Sequence, residues 1–314
     1  MHPRLTRALK SAAIAVSGGS LLFAAACSSG AGEVTGSSAA EADGGLSIVT
    51  STSIWSDVAR AVVAEDQANI TSIIRDRNAD PHSFEPSAAD MARVEEADII
   101  IVGGGGYDAW LYDAVDAEDV TLIHALPLVA GHDHDDGAHA GHDHDDVEGN
   151  EHIWYDTEAV LDVAERIADA VTGQDPDATV DTTDLTGRLD AVHRALHGLP
   201  AVRVAHTEPV AEYIVAHTPM TDVTPSGYRD SALSHSEPTA GDLAAFLELI
   251  DAGELDLLVV NPQTATDLTD RLRSTAEEAD ITVIEIRETP PEGENFIDYF
   301  ESLVEDLNRA TANE

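Results

Sequence analysis

Five of the fourteen histidines fall between positions 132 and 144, at His132, His134, His139, His142 and His144, inside a duplicated Gly-His-Asp-His-Asp-Asp. Neutral imidazole suits Zn, Cu and Ni, and neighbouring aspartates attract any cation. The same composition offers nothing to bury, so residues 131–149 read as a solvated loop whose ligands lose conformational entropy on binding. This is chemistry for weak metal capture, collecting or sensing rather than for a rigid, tight site.

A tighter site belongs where strands end, because open α/β sheets bind ligands at the carboxyl edge of their strands. His82 follows a strand-like run in Asp80-Pro81-His82-Ser83-Phe84-Glu85-Pro86-Ser87, where two prolines stiffen the loop. His152 stands in Asn150-Glu151-His152-Ile153-Trp154-Tyr155-Asp156, just beyond the His-rich loop and before a helical pattern. Glu208 follows another strand in His206-Thr207-Glu208-Pro209, and Glu288 follows the last one in Arg287-Glu288-Thr289-Pro290. Each has an ordinary alternative: a His beside a Pro loop serves as a structural hydrogen-bonding group, and a Glu before Pro as a helix-start acid.

The elements that must position these residues are legible as a rhythm. Apolar runs at 47–51, 70–74, 98–102 and 121–124 alternate with helical patterns beginning near Trp55, Ser87 and Tyr107. The rhythm returns at 202–206, 221–224, 255–260 and 281–286, with helical patterns near Pro209, Thr239, Thr266 and Asn295. Such βα succession predicts an α/β fold of two lobes, each a four-stranded, mainly parallel sheet flanked by helices. Between them, 157–172 and 177–199 are helical in pattern, with Gly173 and Pro176 at the break, so a long helix is expected to join the lobes. The domain division that follows is 47–156, 157–199 and 200–314.

The amino end has a different character. Arg4, Arg7 and Lys10 precede an apolar run ending at Ala24-Ala25-Ala26-Cys27, too short for a membrane span of about 20 residues. It resembles a bacterial lipoprotein signal: residues 1–26 would be removed and Cys27 lipidated, leaving 27–46, rich in Gly, Ser and Ala, as a flexible tether. Localisation would then be extracytoplasmic, lipid-anchored to the outer face of the cell membrane. A single Cys permits neither an intrachain disulfide nor a thiolate metal site. With 60 acidic against 16 basic residues, the net charge of −44 argues against nucleic acid and anionic membrane surfaces as partners. It also fits a salt-adapted source.

The motif at 80–87, with Ala97-Asp98-Ile99-Ile100-Ile101-Val102 and the glycines after it, resembles the metal-specific solute-binding proteins of ABC importers, the zinc and manganese receptors. The segment 151–156 is similar to that family's second ligand motif, and Asn261-Pro262-Gln263-Thr264-Ala265-Thr266 to a segment in a subset of its members. The resemblance implies two α/β lobes joined by one long helix, with metal in the cleft between them. It implies His82 and His152 as ligands and a third, five residues before an aromatic; Glu208 stands five before Tyr213, with His206 as the alternative. The fourth role passes to Glu288. Two neutral nitrogens and two carboxylates would neutralise a divalent ion, here Zn2+, with Mn2+ or Fe2+ as the alternatives.

The function implied is a membrane-tethered monomeric receptor that captures zinc and delivers it to an ABC permease. A surface-displayed metal buffer or adhesin is the second class. A zinc hydrolase is disfavoured: there is no His-Glu-x-x-His and no nucleophile elbow, and four protein ligands would close a shell that catalytic zinc keeps open for water.

Overall fold

The computed structural model describes residues 45–76, 80–115, 120–129 and 149–312. The expected signal segment, Cys27, the tether up to residue 44 and the five loop histidines lie outside the described residues. Two four-stranded sheets organise the rest. The first contains β1 (Leu46–Thr50), β2 (Ala68–Ser72), β3 (Ile99–Val102) and β4 (Thr121–His124), in the order β2-β1-β3-β4. The second contains β5 (Arg203–His206), β6 (Thr221–Asp222), β7 (Leu257–Val260) and β8 (Thr282–Glu285), in the order β6-β5-β7-β8. Every pairing in both is parallel. The inner strands β3 and β7 are apolar at every position and wholly buried, as strands covered by helices on both faces must be.

The helices of the first lobe are α1 (Ser53–Val62), α2 (Ala88–Glu95) and the single turn α3 (Ala109–Tyr112). Ser87 and Asp90 start α2 with a reciprocal capping box. α4 (Thr157–Gln174) begins on Asp156, whose carboxylate accepts from the amides of Glu158 and Ala159. Its far end is fixed at the amino edge of the sheet, where the Gln174 amide donates to Thr121 Oγ1 and Asp98 O. The chain then crosses that edge: Val63 pairs with Val180, and Asp181 N donates to Val62 O. Residues 177–182, expected as helix, therefore form this crossing, and α5 (Thr183–His197) starts from it and leads into β5 of the second sheet. α5 is the connection expected between the lobes.

The second lobe adds α6 (Glu212–Ala216), α7 (Ser226–Leu233), α8 (Ala240–Asp251), α9 (Asp267–Glu278) and α10 (Phe296–Thr311). α7 was not expected; it buries only Tyr228 and so shows no helical stripe in the sequence. α10 returns to the first lobe, with Phe296 N donating to Asp57 Oδ2 at 2.9 Å and Arg188 of α5 pairing with Asp298 and Glu301. One apolar core runs through both lobes: Ile48 and Ile99 of the first sheet and Val204 and Val259 of the second belong to the same buried cluster as Ile167, Leu189 and Leu303 of the helices. The segments that follow β2, β5 and β8 meet, bringing His82, Glu208 and Glu288 together.

Candidate metal centre

Four side chains from four different loops converge at the strand ends. His82 lies in a single helical turn (Pro81–Ser83) started by Asp80, whose carboxylate accepts from His82 N at 2.9 Å. Pro81 at the first position of that turn fixes φ where no backbone donor is needed. His152 is oriented by Asn150, whose Oδ1 accepts from both His152 N at 2.9 Å and the ring Nδ1 at 2.7 Å. This hydrogen bond assigns the proton to Nδ1 and leaves the Nε2 lone pair facing the cleft. Glu208 stands between β5 and the turn at Pro209–Ala211, and Glu288 follows β8, its amide donating to Gln263 Oε1.

The ligand atoms of His82, His152, Glu208 and Glu288 all lie within 4.8 Å of one another. His82 Nε2 is 3.3 Å from Glu208 Oε1 and 3.3 Å from Glu288 Oε2, and His152 Nε2 is 3.5 Å from Glu208 Oε1. Both Nε2 atoms are buried without a hydrogen bond of good geometry. Buried polar atoms normally have partners, and a cation between the two imidazole nitrogens and two carboxylate oxygens, taking the place of the His82 proton, would supply one to each. The donor set therefore fits a divalent ion.

The other oxygens of the two carboxylates are engaged. Asn261 Nδ2 donates to both Glu208 Oε2 and Glu288 Oε1, and Thr264 Oγ1 donates to Glu208 Oε2. Tyr107 OH donates to Glu288 Oε2 at 2.8 Å. Its position is set by the loop after β3, where Gly104, Gly105 and Gly106 have positive φ and the Asp108 carboxylate accepts from Gly103 N and Gly104 N at 2.7 and 3.0 Å. A Cβ on Gly104 would lie 2.3 Å from Leu126 O, so glycine is required there. Burial raises the Asp108 carboxyl to about 6 despite these amides.

The electrostatics of the pocket follow from three carboxylates around one imidazole. Burial opposes charge on His82, but Glu151, Glu208 and Glu288 outweigh it and hold its pKa far above the ordinary histidine range. Burial likewise opposes charge on Glu208, and His152 and His82 reverse this, keeping it well below the ordinary carboxylate range. Tyr107 is pushed upward by burial and by the Glu288 carboxylate, which keeps its phenol a donor.

Glu151 and His235 were not selected from the sequence. Glu151 Oε1 lies 3.0 Å from His82 Nδ1 and 3.1 Å from His235 Nε2, so it joins the first-lobe loop to a half-exposed histidine of the second. Burial opposes its ionisation, and His235 and His82 bring its pKa down to about 2. A signal for Glu151 was present in the motif that carries His152. His235, beyond α7, had none. His206 is not brought into the group: its ring is buried at the end of β5, with Nε2 3.5 Å from Asp222 Oδ2.

A manganese-binding lipoprotein, MntA, of Halalkalibacterium halodurans is 32% identical over 159 residues, covering 50% of this chain and 47% of its own. A zinc-binding lipoprotein, AdcA, of Streptococcus pneumoniae is 26% identical over 293 residues, covering 87% of this chain and 57% of its own. The chain thus spans about half the length of the curated relatives it matches. Among solved structures, the periplasmic zinc-binding protein TroA from Treponema pallidum superimposes with a TM-score of 0.65 at 14% identity, over 85% of this chain and 99% of that one, a likeness of fold. The family model described as zinc-uptake complex component A, periplasmic (ZnuA), matches residues 48–310, and the chain belongs to that family of metal-specific solute-binding proteins of ABC importers.

Proposed function

We propose that the chain is an extracytoplasmic zinc receptor that binds one Zn2+ through His82, His152, Glu208 and Glu288 and delivers it to an ABC permease. The observation that carries this reading is the restriction on the two glutamates. Asn261 and Thr264 both donate to Glu208 Oε2, and Asn261 donates to Glu288 Oε1, which turns Glu208 Oε1 and Glu288 Oε2 toward His82; Glu288 Oε2 keeps a second lone pair beside the one that accepts from Tyr107, so each carboxylate has one oxygen to offer the cleft. Two oxygens and two imidazole nitrogens make a four-coordinate set, which suits tetrahedral zinc; manganese favours six, oxygen-rich ligands. Export and anchoring would rest on residues 1–26 and on a lipid at Cys27, and weak collection of metal on the histidines between 132 and 144. The lobes would divide at 47–156 and 200–314.

Manganese is the second reading. A glutamate rather than a histidine at 208 raises the carboxylate content of the pocket, and the relative with the higher identity is named as a manganese-binding lipoprotein. Competitive titration of the full chain with Zn2+ and Mn2+ under matched conditions decides between them. The zinc assignment expects zinc to win; tighter manganese transfers the same site and role to that metal.

A further inference from the structure

Three histidines that play no part in the cleft meet where the lobes join. His193 and His197 are one turn apart on α5, and their Nε2 atoms are 3.0 Å from each other. His217 ends α6 in the second lobe, its ring centroid 5.0 Å from that of His193 and 6.4 Å from that of His197. One ring nitrogen from each lies within 4.8 Å of the others. We infer that His193, His197 and His217 form a second divalent-cation site at the lobe junction, one that takes an imidazole-preferring ion such as Zn2+.

Outer contacts already orient two of the rings. Thr157 Oγ1 lies 3.2 Å from His193 Nδ1, which leaves Nε2 to face the cluster. Asp156 Oδ2 lies 3.3 Å from His217 Nε2, and an oxygen partner on one imidazole nitrogen is the usual way a protein aims the other at a metal. Asp156 is held in place because its second oxygen caps α4. The facing pair at 193 and 197 sharpens the case: without metal, one ring must donate to the other, whereas tetrahedral zinc with bonds of about 2.0–2.1 Å separates its ligand nitrogens by about 3.4 Å and satisfies both.

Three protein ligands leave a coordination position open, and His197 is exposed, so an ion has access from solvent. His193 and His197 belong to the connecting helix and His217 to the second lobe. The carboxylate behind His217 lies four residues beyond His152. An ion here would tie α5 to the second lobe next to the segment that carries one proposed cleft ligand.

The test is equilibrium dialysis of the full chain with Zn2+ alone, comparing wild type, His197→Gln, His193→Gln and His82→Ala, with thermal unfolding at each zinc concentration. His197→Gln removes an exposed ring and leaves the core intact; His193→Gln is the second probe of the same cluster. The expected result is one zinc equivalent weakened at least tenfold in both Gln variants and retained in His82→Ala, with a zinc-dependent rise in Tm that follows the same pattern. The histidines between 132 and 144 are common to all four proteins and cancel. Unchanged zinc stoichiometry and affinity in both Gln variants would overturn the inference, whatever the His82→Ala protein shows about the cleft.

Discussion

Two carboxylates aimed into one pocket repel each other unless a proton or a cation stands between them. In the metal-free protein that part is played by His82, within 3.3 Å of an oxygen of both Glu208 and Glu288. Its raised pKa means that the proton stays on the ring through neutral pH and must leave when a metal takes its place. Metal affinity should therefore fall as pH falls, by about tenfold per unit where one proton is exchanged. Calorimetric titration in buffers of different ionisation enthalpy should find about one proton released per zinc; no release would show that the metal does not displace this proton. Asn261→Ala frees Glu288 Oε1 for bidentate contact and leaves Glu208 Oε2 to Thr264 alone, and the zinc-to-manganese preference should shift toward manganese in competitive titration. An unchanged ratio would show that the engaged oxygens do not set coordination number. Tyr107→Phe removes a hydrogen bond to the Glu288 carboxylate worth about 1.5–3 kcal/mol, so zinc binding should change about tenfold or more with little change in fold.

At the level of elements, the loop after β3 links packing to chemistry. Gly104→Ala would place a methyl on a residue with φ of +79 and against Leu126 O, displacing the turn that carries Tyr107. A loss of stability of roughly 1–3 kcal/mol is expected in denaturant unfolding, together with weaker zinc binding than in Tyr107→Phe. Wild-type stability in Gly104→Ala would mean that the loop yields without cost. The strands were legible because β3 and β7 are continuous apolar runs, and the helix starts because Ser87, Thr239 and Thr266 announce them with capping boxes. α7 was not legible, since a helix that buries one residue leaves no period to read. The crossing at 177–182 looks helical in the sequence because its backbone partners, Ala64 and Val62, lie more than a hundred residues earlier in the chain. In the site, residues at strand ends are legible in the sequence, whereas Glu151 and His235 acquire their roles through a contact across the cleft and Asn261 through contacts with two other strand ends of its own lobe. The pair His193 and His197 was readable as helical neighbours, but its meeting with His217 depends on tertiary packing.

Across the whole molecule, the shared core limits how the lobes can move. Val204 and Val259 of one sheet lie in the same buried cluster as Ile48 and Ile99 of the other, and α10 is tied back to Asp57 and Arg188. Metal uptake should therefore need changes in loops and small lobe rotations, so scattering profiles of metal-free and zinc-loaded protein should nearly coincide. A large change in radius would contradict this. A net charge of −44 concentrates cations near the surface, over about 8 Å at physiological ionic strength, and capture should slow as salt rises. Zinc-edge X-ray absorption on the full chain loaded with one equivalent of Zn2+ reads the ligand set directly. Four nitrogen or oxygen neighbours at about 2.0–2.1 Å, with two imidazoles among them, are expected. Three or more imidazoles, or a six-coordinate oxygen shell, would contradict this and move the tightest site away from His82, His152, Glu208 and Glu288.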